Sequence, residues 1–172
     1  AGDGDPARVL PIYTRLSDAE ENERKRLGLA ESAQSEITGV ADELAGRHLQ
    51  FRPMGAADAE GASALEAACF EGAGHEAWTP GMFLSELGED VAAPRSWWVA
   101  HDDGQLLGLA GGMVVDGDVQ ILDVAVDPKH RRGGIARKLL SHVSYDAQML
   151  GCTTASLEVE DGNEGAIALY AS

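Results

Sequence analysis

The chain has 172 residues, 44% of them hydrophobic, and a formal charge of -16. That size and apolar fraction suit one domain with a real core, and the acidity excludes nonspecific binding to DNA, RNA or an anionic membrane. No apolar run reaches ~18 residues, so no transmembrane helix is expected. The N-terminus, AGDGDPARVL, lacks the basic and apolar regions of a signal peptide, and Cys69 and Cys152 form no CxxC pair, which fits a reduced, cytoplasmic setting.

Residues 1–46 are polar and nearly free of aromatics. Ser17-Asp18-Ala19-Glu20 has the form of a capping box, and Glu20/Arg24 and Glu21/Lys25 stand at i,i+4. Helices over about 18–27 and 32–45 are expected, in an arm or linker rather than a second domain. The folded domain is expected from 47 to 172.

From His48 the pattern tightens. Leu49 and Phe51 alternate in a strand that stops at Pro53. Residues 56–71 are alanine-rich and read as a helix, with Leu65, Ala68 and Cys69 on one face. Thr79-Pro80 starts a second helix, with Thr79 as N-cap and Met82, Phe83 and Leu87 buried. Trp97–Ala100 is a strand whose two tryptophans should divide between core and surface. Asp102-Asp103-Gly104 turns the chain into residues 105–115, and Asp116-Gly117 is a hairpin signal leading into 119–126. Ile135, Leu139, Leu140, Val143 and Leu150 recur near a 3.6 period over 134–150. Residues 155–159 alternate as a strand, and Asn163 opens a last helix. The order is β-α-α-β-β-β-α-β-α, an α+β fold with a mostly antiparallel sheet and one late parallel crossover.

The chemistry gathers in Asp123–Ala136, DVAVDPKHRRGGIA. Five of the seven Lys and Arg after position 50 lie between Lys129 and Lys138, in a segment (51–172) that carries 19 Asp and Glu. A basic, glycine-bearing loop that opens a helix presents backbone N–H groups and the positive end of a dipole to an anion. Glycine allows a pyrophosphate to approach the backbone, and arginine adds charge-assisted hydrogen bonds. Alone, the pattern divides about evenly between a phosphate cradle and an ordinary basic loop. There is no GK[ST] for a P-loop and no third glycine for a dinucleotide fingerprint.

Arg131-x-x-Gly134-x-Ala136, with its strand and helix, resembles the acetyl-CoA site of the GNAT superfamily of N-acetyltransferases. LEVEDGNEGAIALY, Leu157 to Tyr170, is similar to the end of its RimI group, the ribosomal-protein-alanine N-acetyltransferases. The resemblance covers about 48–172. It implies a GNAT fold, an enzyme using acetyl-CoA without a metal, and a basic protein N-terminus that begins with alanine as acceptor. It places Val124, Ala125 and Val126 along the pantetheine arm. Arg131, Arg132, Gly133, Gly134, Ile135, Ala136 and Arg137 form the pyrophosphate loop, and Asn163 is a further acetyl-CoA contact. Glu158 falls at the general base and Tyr170 at the general acid.

Those residue types fit the chemistry. An α-ammonium, pKa ~7.7–8.0, must lose a proton before it attacks; a carboxylate can accept that proton. A fixed backbone donor stabilises the oxyanion, and a phenol can protonate the leaving thiolate. A GNAT acting on a small amine or lysine, or a non-catalytic acyl-CoA-binding module, are the competing readings. Asp123 is expected in a salt bridge to a nearby arginine, and Trp78 in packing or a peptide pocket.

Two departures stand out. Gly133 replaces a basic residue common in the group. The group continues past the tyrosine into two further strands, so the domain reads as C-terminally incomplete and the 155–159 strand should keep an unpaired edge. Residues 8–15, RVLPIYTR, resemble the end of the TsaB family of the tRNA threonylcarbamoyladenosine machinery, which implies a fusion and association with that machinery.

Overall fold

The computed structural model describes residues 9–15, 40–44, 47–70, 76–89 and 91–160, with side chains from His48 to Glu158 within them. In chain order the elements are strands β1 (Val9–Arg15), β2 (Val40–Leu44) and β3 (Arg47–Pro53), then helices α1 (Ala59–Phe70) and α2 (Pro80–Glu86). Strands β4 (Arg95–Asp102), β5 (Gln105–Val115) and β6 (Asp118–Val126) follow, then helix α3 (Ile135–Met149) and strand β7 (Thr154–Glu160). The seven strands form one sheet in the order β1-β7-β6-β5-β4-β3-β2. Every neighbouring pair is antiparallel except β6–β7, which α3 joins in parallel.

The antiparallel centre follows from its turns. Asp103 and Gly104 take φ 46 and 80, and Asp116 and Gly117 take φ 50 and 81. Both pairs lie in the left-handed region that a two-residue type I′ hairpin requires.

Each face of the sheet is covered. On one, α3 lays Ile135, Leu139 and Val143 against Phe51, Trp98, Leu107 and Val119. On the other, α1 and α2 bring Ala62, Leu65 and Phe83 to Trp97, Val99, Leu109 and Ala125. Adjacent strand residues point to opposite faces, so Trp97 and Trp98 enter different cores at 4% and 5% exposure. The expectation that one of them faces solvent fails because both faces of the sheet are covered. Trp97 lies so close over Gly111 that a Cβ there would stand 2.3 Å from the ring.

Helix boundaries agree with the sequence reading more closely than helix faces do. Thr79 caps α2, accepting the Met82 N–H at 3.3 Å. Phe83 is buried, but Met82 is 44% exposed, because a helix of seven residues sets only one narrow stripe against α1. In α1 the buried face is Ala59, Ala62, Leu65 and Glu66, with Ala68 exposed. Leu150 is 56% exposed because it lies just past the end of α3.

The larger corrections concern the arm. Residues 40–44 are a strand rather than the end of a helix, registered from Val40↔Phe51 to Leu44↔Arg47. Residues 9–15 are also a strand, paired with β7 from Val9↔Glu160 to Arg15↔Thr154. The β7 edge expected to lie open is therefore covered. In both cases the unpaired N–H and C=O groups of an edge strand recruit a partner that local propensity does not predict. The helices expected over 18–27 and from Asn163 lie outside the described residues.

Candidate active site

The candidate residues gather where β6 and β7 part. Their pairing runs from Asp118↔Thr154 to Ile121↔Leu157 and then stops, although β6 continues to Val126 and β7 to Glu160. A bulge marks the same level. Gly111 pairs with Asp123 and Gly112 with Ile121, which leaves Leu122 as the extra residue and bends β6.

Beyond the bulge, β6 keeps one edge free of the ladder. The Asp127 N–H bonds the Leu107 carbonyl on β5 at 2.9 Å, so the neighbouring peptide groups of Val126 turn to the opposite edge. The Val126 carbonyl on that edge accepts the Cys69 thiol at 3.2 Å and Arg131 Nε at 3.1 Å. Burial raises the Cys69 thiol pKa above its ordinary value, outweighing the hydrogen bond and charge of Arg131. That argues against a nucleophilic role.

The loop after Val126 is shaped by local bonds. Asp127 Oδ1 accepts the Lys129 N–H at 2.8 Å and caps the 3-10 turn Pro128–His130. Arg132 then takes φ 67, and Gly134 caps α3 at φ 86. The Lys138 N–H reaches the Gly134 carbonyl at 3.0 Å; the amides of Ile135, Ala136 and Arg137 precede that bond and lie at the positive end of the helix. Ile135, 4% exposed, anchors this first turn in the α3 core. Arg131 and Arg132 are exposed beside it. Val124–Val126, which β7 leaves unpaired, thus lead through Arg131 and Arg132 into the N-terminus of α3, with Ala125, Val126 and Ile135 themselves buried.

Glu158 is the first β7 residue past the last β6–β7 pair. Ala155 and Leu157 are buried, Ala155 in the core under α3, and Glu158 is exposed. Alternation puts Glu158 on the other face, toward α1 and α2. Asn163 and Tyr170 lie outside the described residues.

Asp123 does not make the arginine salt bridge expected of it. Its Oδ2 is closed off from solvent with no hydrogen-bond partner among the described residues. Burial and the nearby Glu66 raise its pKa to about 7, against a smaller opposing effect of the Val124 N–H. Glu66, 1% exposed, accepts the Trp78 N–H. The Trp78 ring packs on Phe83 and Trp97 at centroid distances of 5.2 and 5.4 Å, which places Trp78 in packing. Sequence reasoning passed over Glu66; a lone glutamate in an alanine-rich helix carries no signal until the strands beneath it are placed.

Among the described residues no cluster of His, Cys, Asp and Glu is arranged to hold a metal, and no helix is long and apolar enough to cross a membrane. Residues 60–172 match the Acetyltransferase (GNAT) family. The chain belongs to this family. It is 33% identical over 95 residues to the [ribosomal protein bS18]-alanine N-acetyltransferase of Escherichia coli, which covers 55% of this chain and 62% of that protein. The chain thus spans under two thirds of that relative's length. The crystal structure of the ribosomal-protein-S18-alanine N-acetyltransferase from Escherichia coli superposes with a TM-score of 0.60 at 27% identity, covering 72% of this chain and 74% of that one. An N-acetyltransferase from Thermoplasma acidophilum in complex with coenzyme A shares the fold, with a TM-score of 0.64 at 15% identity over 72% of this chain and 86% of its own. The GNAT fold and α+β class expected from the sequence are borne out.

Proposed function

We propose that this GNAT chain transfers acetyl from acetyl-CoA to a protein N-terminal amine, with the alanine terminus of a basic ribosomal protein as acceptor. The observation that carries this is the β6 edge at Val124–Val126, which β7 leaves unpaired and whose loop leads into the cationic first turn of α3. One arm of a ligand would lie along strand amides while its diphosphate meets the amides of Ile135–Arg137 and the arginines at 131 and 132. Acetyl-CoA has that shape of chemistry, an amide-bearing arm ending in a pyrophosphate. The ribosomal-protein-alanine N-acetyltransferase of Escherichia coli, the relative named above, supports the choice of acceptor.

In this reading the Val126 N–H polarises the thioester carbonyl and stabilises the oxyanion as charge develops. Glu158 takes a proton from the acceptor ammonium, directly or through water, and Tyr170 protonates the departing thiolate. Asn163 is assigned a further acetyl-CoA contact. The enzyme works in the cytoplasm. The fusion with the tRNA threonylcarbamoyladenosine machinery rests on residues 8–15 alone, and none of the relatives named above supports it.

The test is turnover of acetyl-CoA with Ala-initiated basic peptides, with Glu158→Gln and Tyr170→Phe beside the native chain. Each variant should lower kcat by ~10²–10⁴ while acetyl-CoA binding holds. Turnover of polyamines or lysine side chains but not of peptide termini would overturn the acceptor. Binding without turnover of any amine would make the chain a non-catalytic module.

A further inference from the structure

We propose that Asp123 seats the ammonium of the acceptor, so that its carboxylate, rather than the exposed Glu158 alone, selects a cationic amine at the mouth of the β6–β7 cleft. The inference rests on the acetyltransferase reading for the identity of that amine, but the pocket chemistry is independent of it.

Position comes first. Asp123 adjoins the bulged Leu122 and lies two residues past the last β6–β7 pair, where the strands have parted. Two positions on, Ala125 belongs to the core under α1 and α2, so Asp123 shares that face. Glu158 lies on the same face, one residue past the last pair on the opposite wall. The cleft floor is therefore flanked by carboxyls from both strands on the side away from α3.

Compensation comes second. A buried carboxyl oxygen without a hydrogen-bond donor is costly, and more so when it is charged. Asp123 Oδ2 is in that condition. The groups around it do not neutralise it. From α1 come Glu66, a like charge that further raises the acid, and Cys69, whose thiol is given to Val126. From the loop comes Arg131, whose Nε is also given to Val126. On the β7 side the same face of the sheet carries Glu158, another acid. Asp123 as a residue is only partly buried, although Oδ2 itself is closed off, so an ammonium meets the exposed part of the side chain first and reaches Oδ2 by a local shift. Among the described residues no cation pairs with Asp123, and a cation supplied by substrate would fill that role.

The consequence is a proton. With its pKa raised to about 7, Asp123 is largely protonated below neutrality. An ammonium settling beside it favours the carboxylate. The O–H bond breaks, the proton leaves to buffer, and a carboxylate–ammonium pair remains. Glu158 then acts on the seated amine.

Calorimetry of the CoA complex with the tripeptide amide Ala-Arg-Lys, in buffers of different ionisation enthalpy, reads this directly. At about pH 6.5 the native chain should release up to one proton on binding, and the same peptide N-acetylated should release none. Asp123→Asn should abolish the release and weaken binding at least ~10-fold, and raise KM more than it lowers kcat. Glu158→Gln should do the reverse. An acid raised by burial opposes folding once ionised: stability is fullest below about pH 4 and falls as pH rises to 7. Asp123→Asn should therefore melt higher than the native chain near pH 7.5, which confirms the buried acid; the loss of proton release on peptide binding is what separates a seat from a merely structural Asp123. Equal affinity and equal proton release in Asp123→Asn, or no binding of the amine by the native chain, would overturn the proposal. A native chain that binds the amine with proton release but transfers no acetyl would sink the acetyltransferase reading and leave the seat intact.

Discussion

Gly134 shows what the loop demands of one residue. Its φ of 86 caps α3 in the left-handed region; an L side chain there costs about 1–2 kcal/mol. Gly133, beside it, does not take a positive φ. The two glycines look equivalent in the sequence and differ in the backbone. Where the free loop relaxes away from that strain, Gly134→Ala should weaken acetyl-CoA binding by up to roughly 30-fold, the equilibrium factor for the strain that binding must restore, while Gly133→Ala leaves it near native. Calorimetry with acetyl-CoA checks both, and equal effects at the two positions would refute the argument. Legibility at this scale was uneven. The loop residues and Glu158 rest on the resemblance; in the structure the loop follows β6, and Glu158 lies on β7 just past the last β6–β7 pair. Asp123 was misjudged, because a salt bridge is the usual fate of a buried aspartate beside arginines. Here Arg131 turns instead to the Val126 carbonyl.

Among the elements, β1 changes the account most. The sequence made β3 to β7 legible, since their alternation, turns and 3.6-residue helical period come from local chemistry. It did not make β1 legible. RVLPIYTR reads as a short apolar run inside a polar arm, and its partner lies about 140 to 150 positions away, from Arg15 opposite Thr154 to Val9 opposite Glu160. Pairing at that separation is set by an empty edge, which no local window contains. The strand's place has a physical effect. β7 parts from β6 after Leu157, so beyond that point β1 is its neighbour, with Pro11 opposite Glu158. Deleting residues 1–15 should strip that support. Amides at the C-terminal end of β7 should exchange faster by hydrogen–deuterium exchange, and the exposed edge should promote self-association. The β3–β5 amides should keep their protection. Unchanged exchange across β7 would show that β1 does not hold the edge.

The whole molecule is a scaffold of one charge sign carrying a local patch of the other. At -16 overall, it sets up a long-range field that draws a basic peptide in and opposes an anionic donor. The five cations between Lys129 and Lys138 reverse that field only near the α3 N-terminus. Donor and acceptor should therefore respond differently to salt. The Debye length shrinks from about 30 Å at 0.01 M to about 8 Å at 0.15 M, which removes steering while leaving contact pairs. KM for an Ala-initiated peptide bearing several Lys or Arg should rise several-fold over that range. KM for a neutral Ala-initiated peptide should move little, because its one ammonium is held at short range in the cleft. Acetyl-CoA should show the weakest dependence, its repulsion by the body and attraction to the loop being screened together. Initial rates at three salt concentrations with the two peptides decide this. Parallel slopes would mean that the acidic surface plays no part in choosing the acceptor, and selection would then fall wholly to the carboxyls of the cleft.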